Sequence, residues 1–381
     1  MKKLFLLSAA VLMGLTACTK NEVIQTPDQQ ITFSAPVVGT ITKTVYGEMP
    51  VQYKTEENFI VYGLHTKGTY TAWSAGSIYM NGVECSYQES YNGWVPSNPY
   101  YWPKNEDSYL TFAAYSPAQV LGDVTANNIA YGADGLTINY FAPNTDASKQ
   151  YDLLFSERTY NQKGPHGSSY DPVEDNTEKE YYHGVDIKFR HALSSINFKV
   201  AAGDYTDGNI AELKTGTSIK LNSIVVNDVV ANSHFKENVT DGITYESDPS
   251  WNHDLGADSR TYDYSVATNN DADLNQALTK TPEVAGNPLI LIPQDFDRTS
   301  EKISVTIKYT ITNPDGKSWP QEYTMNLSDF VYSGDGFNNE IQPEGWEMGK
   351  RYTYTIYIGL TQIHFAPEVA AWVPVETETT I

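Results

Sequence analysis

The sequence predicts an all-β protein that contains two β-sandwich domains. Many short stretches alternate apolar with polar residues, which is the period of two expected of half-buried strands. Glycine, asparagine and proline separate these stretches, and 28 tyrosines also favour strands. Because 381 residues are enough for two cores, we expect an N-terminal domain at residues 31–184 and a C-terminal domain at residues 185–381.

The amino terminus has the pattern of a lipoprotein signal peptide. Lys2 and Lys3 precede an apolar run at residues 4–14, and Leu15-Thr16-Ala17 leads into Cys18. The run is too short to span a bilayer, and small residues before a cysteine suit a peptidase that leaves this cysteine as the lipid-modified N-terminus. We therefore predict a signal peptide at residues 1–17, lipidation of Cys18, and a polar tether at residues 18–30 that links the fold to the membrane.

The charge of the chain excludes nucleic acid as a partner. Removal of Lys2 and Lys3 with the signal peptide leaves 23 basic and 47 acidic side chains, a net charge of −24. A phosphate backbone would repel such a chain. Lipidation of Cys18 leaves Cys85 without a disulfide partner, and we interpret Cys85 as a small buried residue rather than a nucleophile.

Strands are predicted along both halves of the chain. In the first half they cover residues 31–37, 58–65, 77–87, 108–115, 136–141 and 152–156. A polar loop at residues 158–182 follows, and we place the seam between the domains there. In the second half the strands cover residues 185–200, 218–230, 260–267, 288–296, 303–313, 319–327 and 351–365. The clearest hairpin joins residues 303–313 to the next strand through the turn Asn313-Pro314-Asp315-Gly316.

The strand at residues 185–200 changes phase along its length. Its apolar residues occupy odd positions as far as Leu193 and even positions from Ile196 onward, so we expect a bulge or bend at residues 192–195. His191 lies on the apolar phase, and we interpret it as a buried histidine held by a nearby backbone group.

No motif for catalysis or cofactor binding occurs in the sequence. The seven histidines have no paired spacing for a metal site, and neither a Gly-x-Ser-x-Gly elbow nor a phosphate-binding glycine loop is present. Residues 271–275 begin like a calcium loop but lack its later glycine and glutamate. We therefore predict that the protein is not an enzyme and carries no cofactor apart from the covalent lipid on Cys18.

Several short motifs, taken in their order and spacing, resemble the fimbrillin family, the pilin-like surface lipoproteins of Bacteroides and its relatives. They are Phe-Arg-His-Ala-Leu-Ser-Ser-Ile-Asn-Phe-Lys-Val at residues 189–200, Tyr100-Tyr101-Trp102-Pro103, Ala114-Tyr115-Ser116-Pro117, and the stretches 346–356 and 363–372. The resemblance implies two transthyretin-like β-sandwich domains in a subunit or accessory protein of a type V pilus. It also implies a place in the outer membrane, at the cell surface or in a fimbria, with other pilus subunits or further copies as partners.

Strand exchange is the assembly mechanism that the resemblance implies. In that family a protease removes the first strand of the N-terminal domain, and a strand of a neighbouring subunit fills the groove. Residues 31–37 would be that first strand, and Lys43 of Thr42-Lys43-Thr44 is the candidate processing site, where relatives often carry arginine. The candidate donor is the C-terminal tail, whose apolar face comprises Val369, Ala371, Val373 and Val375. The alternative is that this tail closes its own domain.

Glycan binding by a monomeric surface lipoprotein is the alternative function. Trp94, Tyr101 and Trp102 lie close together in the sequence, and exposed aromatic rings stack on the sugars of a host or bacterial surface ligand. A glycan binder would stay monomeric and would depend on these rings, whereas a pilin would assemble after processing.

Overall fold

The fold is all-β, as predicted, and was obtained as a computed structural model. The structure describes residues 30–34, 36–39, 51–53, 56–121, 128–164, 184–206, 209–254, 261–266, 274–297, 302–330, 332–333, 340–341, 344–360 and 362–372. Helical structure in this part of the chain is limited to short 3-10 turns at Trp73–Ala75, Glu89–Tyr91, Ala118–Leu121, Ala147–Lys149 and Leu327–Asp329. No helix within the described ranges is long and apolar enough to cross a membrane.

Thirty-one strands, numbered here in chain order, make up the described part of the fold. The first half contains β1 Val37–Gly39, β2 Val51–Gln52, β3 Phe59–Lys67, β4 Ser77–Gln88, β5 Gly93–Pro96, β6 Ser108–Ser116, β7 Ile129–Gly132, β8 Gly135–Phe141, β9 Leu154–Ser156, β10 Thr159–Gln162 and β11 Lys188–His191. Next come β12 Ser194–Ala202, β13 Asp204–Thr206, β14 Asn209–Ala211, β15 Ser218–Val230, β16 Ser233–Lys236, β17 Val239–Thr240, β18 Glu246–Ser247, β19 Ser250–Asn252, β20 Thr261–Ser265 and β21 Gln276–Ala277. The last are β22 Glu283–Val284, β23 Leu289–Leu291, β24 Gln294–Asp295, β25 Ser304–Thr312, β26 Ser318–Asn326, β27 Tyr332–Ser333, β28 Glu340–Ile341, β29 Gly345–Trp346, β30 Lys350–Ile358 and β31 Ile363–Ala371.

The first half of the chain forms a sheet in the order β2-β1-β11-β9-β6-β3-β4-β5, with β10 added beside β6. Most pairs are antiparallel, but β1 runs parallel to β11. Aromatic residues dominate the core that this sheet encloses. Phe33, Phe59, Phe112 and Phe189 are all fully buried there.

The second half forms a sandwich of two sheets. One has the order β22-β12-β30-β31-β27-β28, and the other has the order β20-β15-β25-β26. The predicted hairpin is confirmed, because β25 and β26 pair from Ser304 opposite Asn326 to Thr312 opposite Ser318. Gly316 in its turn has a φ of +78°, a value that glycine adopts readily.

The phase change in the predicted long strand marks the place where the chain moves between the two sheets. β11 pairs with β9 and β1 of the first sheet, whereas β12 pairs with β30 of the second sandwich. The break lies at Ala192 and Leu193, inside the predicted 192–195 window, because side chains before it fill one core and side chains after it fill the other. The chain therefore changes sheet after residue 191. The domain boundary after residue 184 stays a prediction.

A third sheet, in the order β19-β16-β8-β7, contains strands from both halves of the chain. Beside it lies a core that mixes Phe155 and Leu136 of the first half with Phe235, Ile292 and Trp372 of the second. The two halves thus share both backbone hydrogen bonds and buried apolar surface.

Arg158 joins the two halves, although it begins the predicted polar seam. Its side chain is fully buried, and the guanidinium donates to the carbonyl oxygens of Gly132 at 2.7 Å and Ala133 at 2.6 Å. It also donates to the Tyr70 hydroxyl at 2.9 Å and forms an ion pair with Asp241 of the second half at 3.3 Å. A buried charge is tolerated here because these acceptors replace its water.

Glu237 is a second buried ionisable group between the halves. Its Oε2 accepts from the backbone N–H of Leu136 at 2.6 Å, and its Oε1 accepts from the Tyr245 hydroxyl at 2.7 Å. Burial raises the pKa of Glu237 to about 7, although both hydrogen bonds oppose the rise.

The raised pKa of Glu237 predicts a pH-dependent stability. The unfolded carboxyl titrates near pH 4.5, so between about pH 4.5 and 7 the folded protein holds a proton that the unfolded chain lacks. This contribution is complete below the unfolded pKa and is lost as pH rises through 7. We expect Glu237 to make the unfolding free energy about 3 kcal/mol lower at pH 8 than at pH 4.

Urea unfolding at pH 4 and pH 8 gives the slope of the unfolding free energy against pH for the wild type and for Glu237→Gln. The difference between the two slopes is the contribution of Glu237. Glu246→Gln, which removes an exposed carboxylate two strands away, should keep the wild-type slope. An unchanged slope in Glu237→Gln would show that the pKa of this carboxyl is the same in the folded and the unfolded protein.

Candidate functional site

The first described segment of the chain, residues 30–34 and 36–39, lies between two other parts of the N-terminal sheet. We call it the first segment. On one side, Phe33 exchanges two backbone hydrogen bonds with Trp94 at 2.8 and 2.9 Å, and the N–H of Ile31 donates to the Tyr100 carbonyl at 2.7 Å. On this side the first segment covers the edge that β5 would otherwise leave open.

The other side of the first segment pairs with the residues that lead into β11. The Val185 N–H donates to the Thr32 carbonyl at 2.8 Å, and the Ser34 N–H donates to the Val185 carbonyl at 3.0 Å. Further along, Val38 in β1 lies opposite Phe189 in β11. The first segment therefore fills a seat between the Trp94–Tyr100 edge and the 185–190 edge, and it completes the sheet between them.

The side chains of the first segment fill the N-terminal core. Ile31 and Phe33 are fully buried, and Val38 is 8% exposed. The Phe33 ring packs edge-on against Phe59 at 5.7 Å and Phe112 at 5.4 Å between centroids. Each such side chain contributes about 1.5–3 kcal/mol through burial, so the segment is held by apolar contacts as well as by backbone pairing.

Two glycines allow the seat to approach the backbone of Phe33. A Cβ at Gly93 would lie 2.6 Å from the Phe33 carbonyl oxygen, and a Cβ at Gly184 would lie 2.6 Å from the Phe33 carbonyl carbon. Gly184 also has a φ of +104°, which other residues rarely adopt. One glycine thus stands on each side of the same residue, and a side chain at either position would push Phe33 out of the seat.

The aromatic residues proposed for glycan stacking lie in or beside this seat. Trp94 is 1% exposed and donates its indole N–H to the Glu57 carbonyl at 2.9 Å, and Trp102 is 6% exposed. Tyr101 is half-buried, and its carbonyl accepts from the Tyr79 hydroxyl. The stacking hypothesis was wrong for the two tryptophans, because their apolar surface is used in the core of a domain that lacks disulfides.

The structure describes only the first part of the predicted donor strand. Val369 and Ala371 belong to β31, where they lie opposite Tyr352 and Lys350 of β30, so this part of the tail closes its own sheet. Val373 and Val375 lie outside the described residues, as do Cys18 and Lys43. The alternative that the tail closes its own domain therefore holds as far as residue 371.

His191 is buried as predicted, but its partner is a carboxylate rather than a backbone group. Its Nδ1 lies 2.6 Å from Oδ2 of Asp152, and burial raises the pKa of Asp152 while His191 opposes the rise. The Trp372 ring stacks on the imidazole with 4.2 Å between centroids. The Trp372 N–H also donates to the Gly349 carbonyl at 2.9 Å, so the chain is held here just before the predicted tail continues. The sequence separates these groups too widely to reveal the arrangement.

No cluster of three potential metal ligands occurs within the described ranges. Among the residues that the structure describes, neither the seat nor the Asp152–His191 pair has the additional ligand that a metal site would need. The pairing of the first segment on both sides makes its seat the candidate functional site.

Substitution of either seat glycine should loosen the first segment. We expect Gly93→Ala and Gly184→Ala each to lower the unfolding free energy by about 1–3 kcal/mol, because the new methyl group overlaps the Phe33 backbone. Gly242→Ala is the matched control, since a Cβ there meets no atom within 4 Å. Urea unfolding that gives all three variants the same stability would show that the seat is not tightly packed.

Comparisons with known proteins agree with the fold and with the family resemblance. The chain matches the family model described as fimbrillin-like over residues 49–372. No curated protein matches it.

A solved structure from Bacteroides also shares the fold. A fimbrial protein from Bacteroides vulgatus has a similar fold, with a TM-score of 0.53 and 16% identity over 91% of this chain and all of that chain. A fimbrilin from Porphyromonas gingivalis aligns with 91% of this chain and 99% of its own length at 12% identity, with a TM-score of 0.42. Because the family model spans most of the sequence, the chain belongs to the fimbrillin-like family.

Proposed function

We propose that this protein is a fimbrial or adhesive surface lipoprotein that assembles by β-strand exchange at the seat of the first segment. The observation that carries the proposal is the two-sided pairing of residues 30–34, together with the burial of Ile31 and Phe33. A segment bound in this way leaves both backbone edges and apolar pockets open when it departs. A second strand of similar pattern can then occupy the same place.

Proteolysis after Lys43 would release the first segment and the lipid anchor in one step. Lys43 lies between β1 and β2 in the sequence, after the last residue of the first segment and before the rest of the sheet. Cleavage there turns the covalent link between Cys18 and the domain into a non-covalent one. Loss of the segment then exposes the core side chains that Phe33 covers, which include Phe59 and Phe112.

The donor in this proposal is the chain after Trp372. The sequence at residues 373–381 is Val-Pro-Val-Glu-Thr-Glu-Thr-Thr-Ile, and Val373, Val375 and Ile381 would fall on one face of an extended strand. Fully extended, residues 373–381 would span about 30 Å, which is close to the span of residues 30–39. Since Trp372 is held against His191, the donor begins at a fixed point on the molecule.

Membership of the fimbrillin-like family and the fold shared with a fimbrial protein support a surface location. In this proposal the lipid on Cys18 anchors the chain in the outer membrane, and copies of this chain or other pilus subunits are the partners. The alternative of a monomeric glycan binder loses its proposed platform, because Trp94 and Trp102 are buried.

Cleavage followed by size analysis tests the assembly. Thr42-Lys43-Thr44 is replaced by the recognition site of a sequence-specific protease, and the protein is cut in solution. We expect oligomers only after cleavage, because the intact seat is occupied. Deletion of residues 373–381 should leave the cleaved protein monomeric. Before cleavage, the full-length and the deleted forms should both be monomeric.

Paired substitutions test whether assembly depends on the apolar face of the tail or only on the presence of the tail. Val373→Ser with Val375→Ser should reduce assembly, while Thr377→Ser with Thr379→Ser is a control on the same phase of the strand. Oligomers that form equally well without the tail would exclude it as donor. A cleaved full-length protein that stays monomeric would contradict the assembly role itself.

Membrane fractionation tests the anchor. Cys18→Ser removes the only thiol that the signal-peptide pattern offers for lipidation, so we expect this variant to leave the outer-membrane fraction. Cys85→Ser is the control and should remain there. Retention of the Cys18 variant at the wild-type level would show that the lipid is not the anchor.

A further inference from the structure

A cavity of about 450 Å³ lies where segments from three parts of the second half meet. Its lining includes Trp251 and His253 from the region of β19, Asp295 from β24, and Glu347 and Met348 just after β29. The volume is within the range of small-molecule sites, about 300–1,000 Å³. It shares no lining residue with the seat of the first segment.

The β24–β29 pair arranges two carboxylates at this cavity. Asp295 lies opposite Gly345, and Gln294 lies opposite Trp346. Asp295 and Glu347 line the cavity with exposed side chains, whereas Gln294 and Trp346, which also line it, are buried. A Cβ at Gly345 would lie 2.2 Å from the Gln294 carbonyl oxygen, so glycine lets the two strands approach closely beside the cavity.

Trp251 forms a rigid wall of the cavity. Its ring packs against Phe141 at 5.5 Å and Phe235 at 5.1 Å, and its indole N–H donates to the Ala192 carbonyl at 2.7 Å. The side chain is nevertheless only half-buried, so part of the ring remains at the cavity. An aromatic face that is already fixed loses little entropy when a ligand stacks on it.

We propose that this cavity binds a neutral saccharide. The half-exposed indole would receive the C–H face of a sugar ring, and the carboxylates of Asp295 and Glu347 would accept hydrogen bonds from its hydroxyls. Both carboxylates are exposed, and neither forms an ion pair with another residue that the structure describes. They are therefore available as acceptors without the loss of an existing contact.

A cationic side chain is the competing occupant, and the geometry favours it less. An ion pair between exposed groups contributes little to binding, because water and salt screen it. The cavity also offers apolar contact from Trp251 and Met348 over a volume larger than one side chain needs. In this proposal stacking on Trp251, rather than charge, supplies most of the binding.

Saturation-transfer NMR on the full mature chain tests the site. The probes are glucose, galactose, mannose, fucose, N-acetylglucosamine and N-acetylgalactosamine at millimolar concentration, with lysine amide as the cationic probe. We expect at least one sugar to receive saturation at its C–H protons, with no dependence on added salt. Asp295→Asn combined with Glu347→Gln should weaken that sugar by about tenfold or more, the loss expected for a hydrogen bond to a charged group.

Glu246→Gln combined with Asp315→Asn is the matched control, because it removes two exposed carboxylates outside the cavity and should leave binding unchanged. Trp251→Leu should abolish binding, with the folded state checked by unfolding in urea. The proposal is overturned if none of the six sugars binds, or if the cavity variant binds as well as the control. It is also overturned if lysine amide binds more tightly than every sugar and is released by salt.

Discussion

The backbone of Phe33 is paired on both sides, and the architecture of the N-terminal sheet depends on that pairing. Trp94 lies on one side of Phe33 and Val185 lies on the other. The chain on each side comes so close to the Phe33 backbone that glycine is needed at positions 93 and 184. The segment that supplies Phe33 is nevertheless joined to the rest of the domain only through the residues between β1 and β2. A strand that pairs on both sides and precedes the rest of the domain in the sequence is suited to replacement.

The rest of the molecule forms a unit on which such an exchange can take place. The chain changes sheet at Ala192 and Leu193, and the core around these residues mixes both halves. Arg158 and Glu237 add buried polar contacts across the same region. Removing one partner of a buried polar contact costs free energy, so these contacts hold the two halves together. We therefore expect loss of the first segment to open the seat without separating the halves.

Local patterns predicted much of the fold, while the site depended on contacts between distant residues. The all-β class, the hairpin at Gly316 and the break near Leu193 follow from alternation and turn chemistry, which neighbouring residues determine. The burial of Trp94 and Arg158 does not follow in this way, since the partner of Arg158 in the second half, Asp241, is 83 residues away. The cavity beside Trp251 was missed for the same reason, because three separate segments form it.

Hydrogen exchange at two backbone amides tests the central claim most directly. The N–H groups of Trp94 and Val185 donate to the first segment, so both should be protected in the intact protein and should exchange rapidly once the segment has been cut and has left. In the assembled form a donor strand should restore their protection, while the Phe112 amide, in the middle of the sheet, stays protected throughout. An assembly in which the Trp94 and Val185 amides exchange as fast as in the cleaved monomer would contradict strand exchange at this seat.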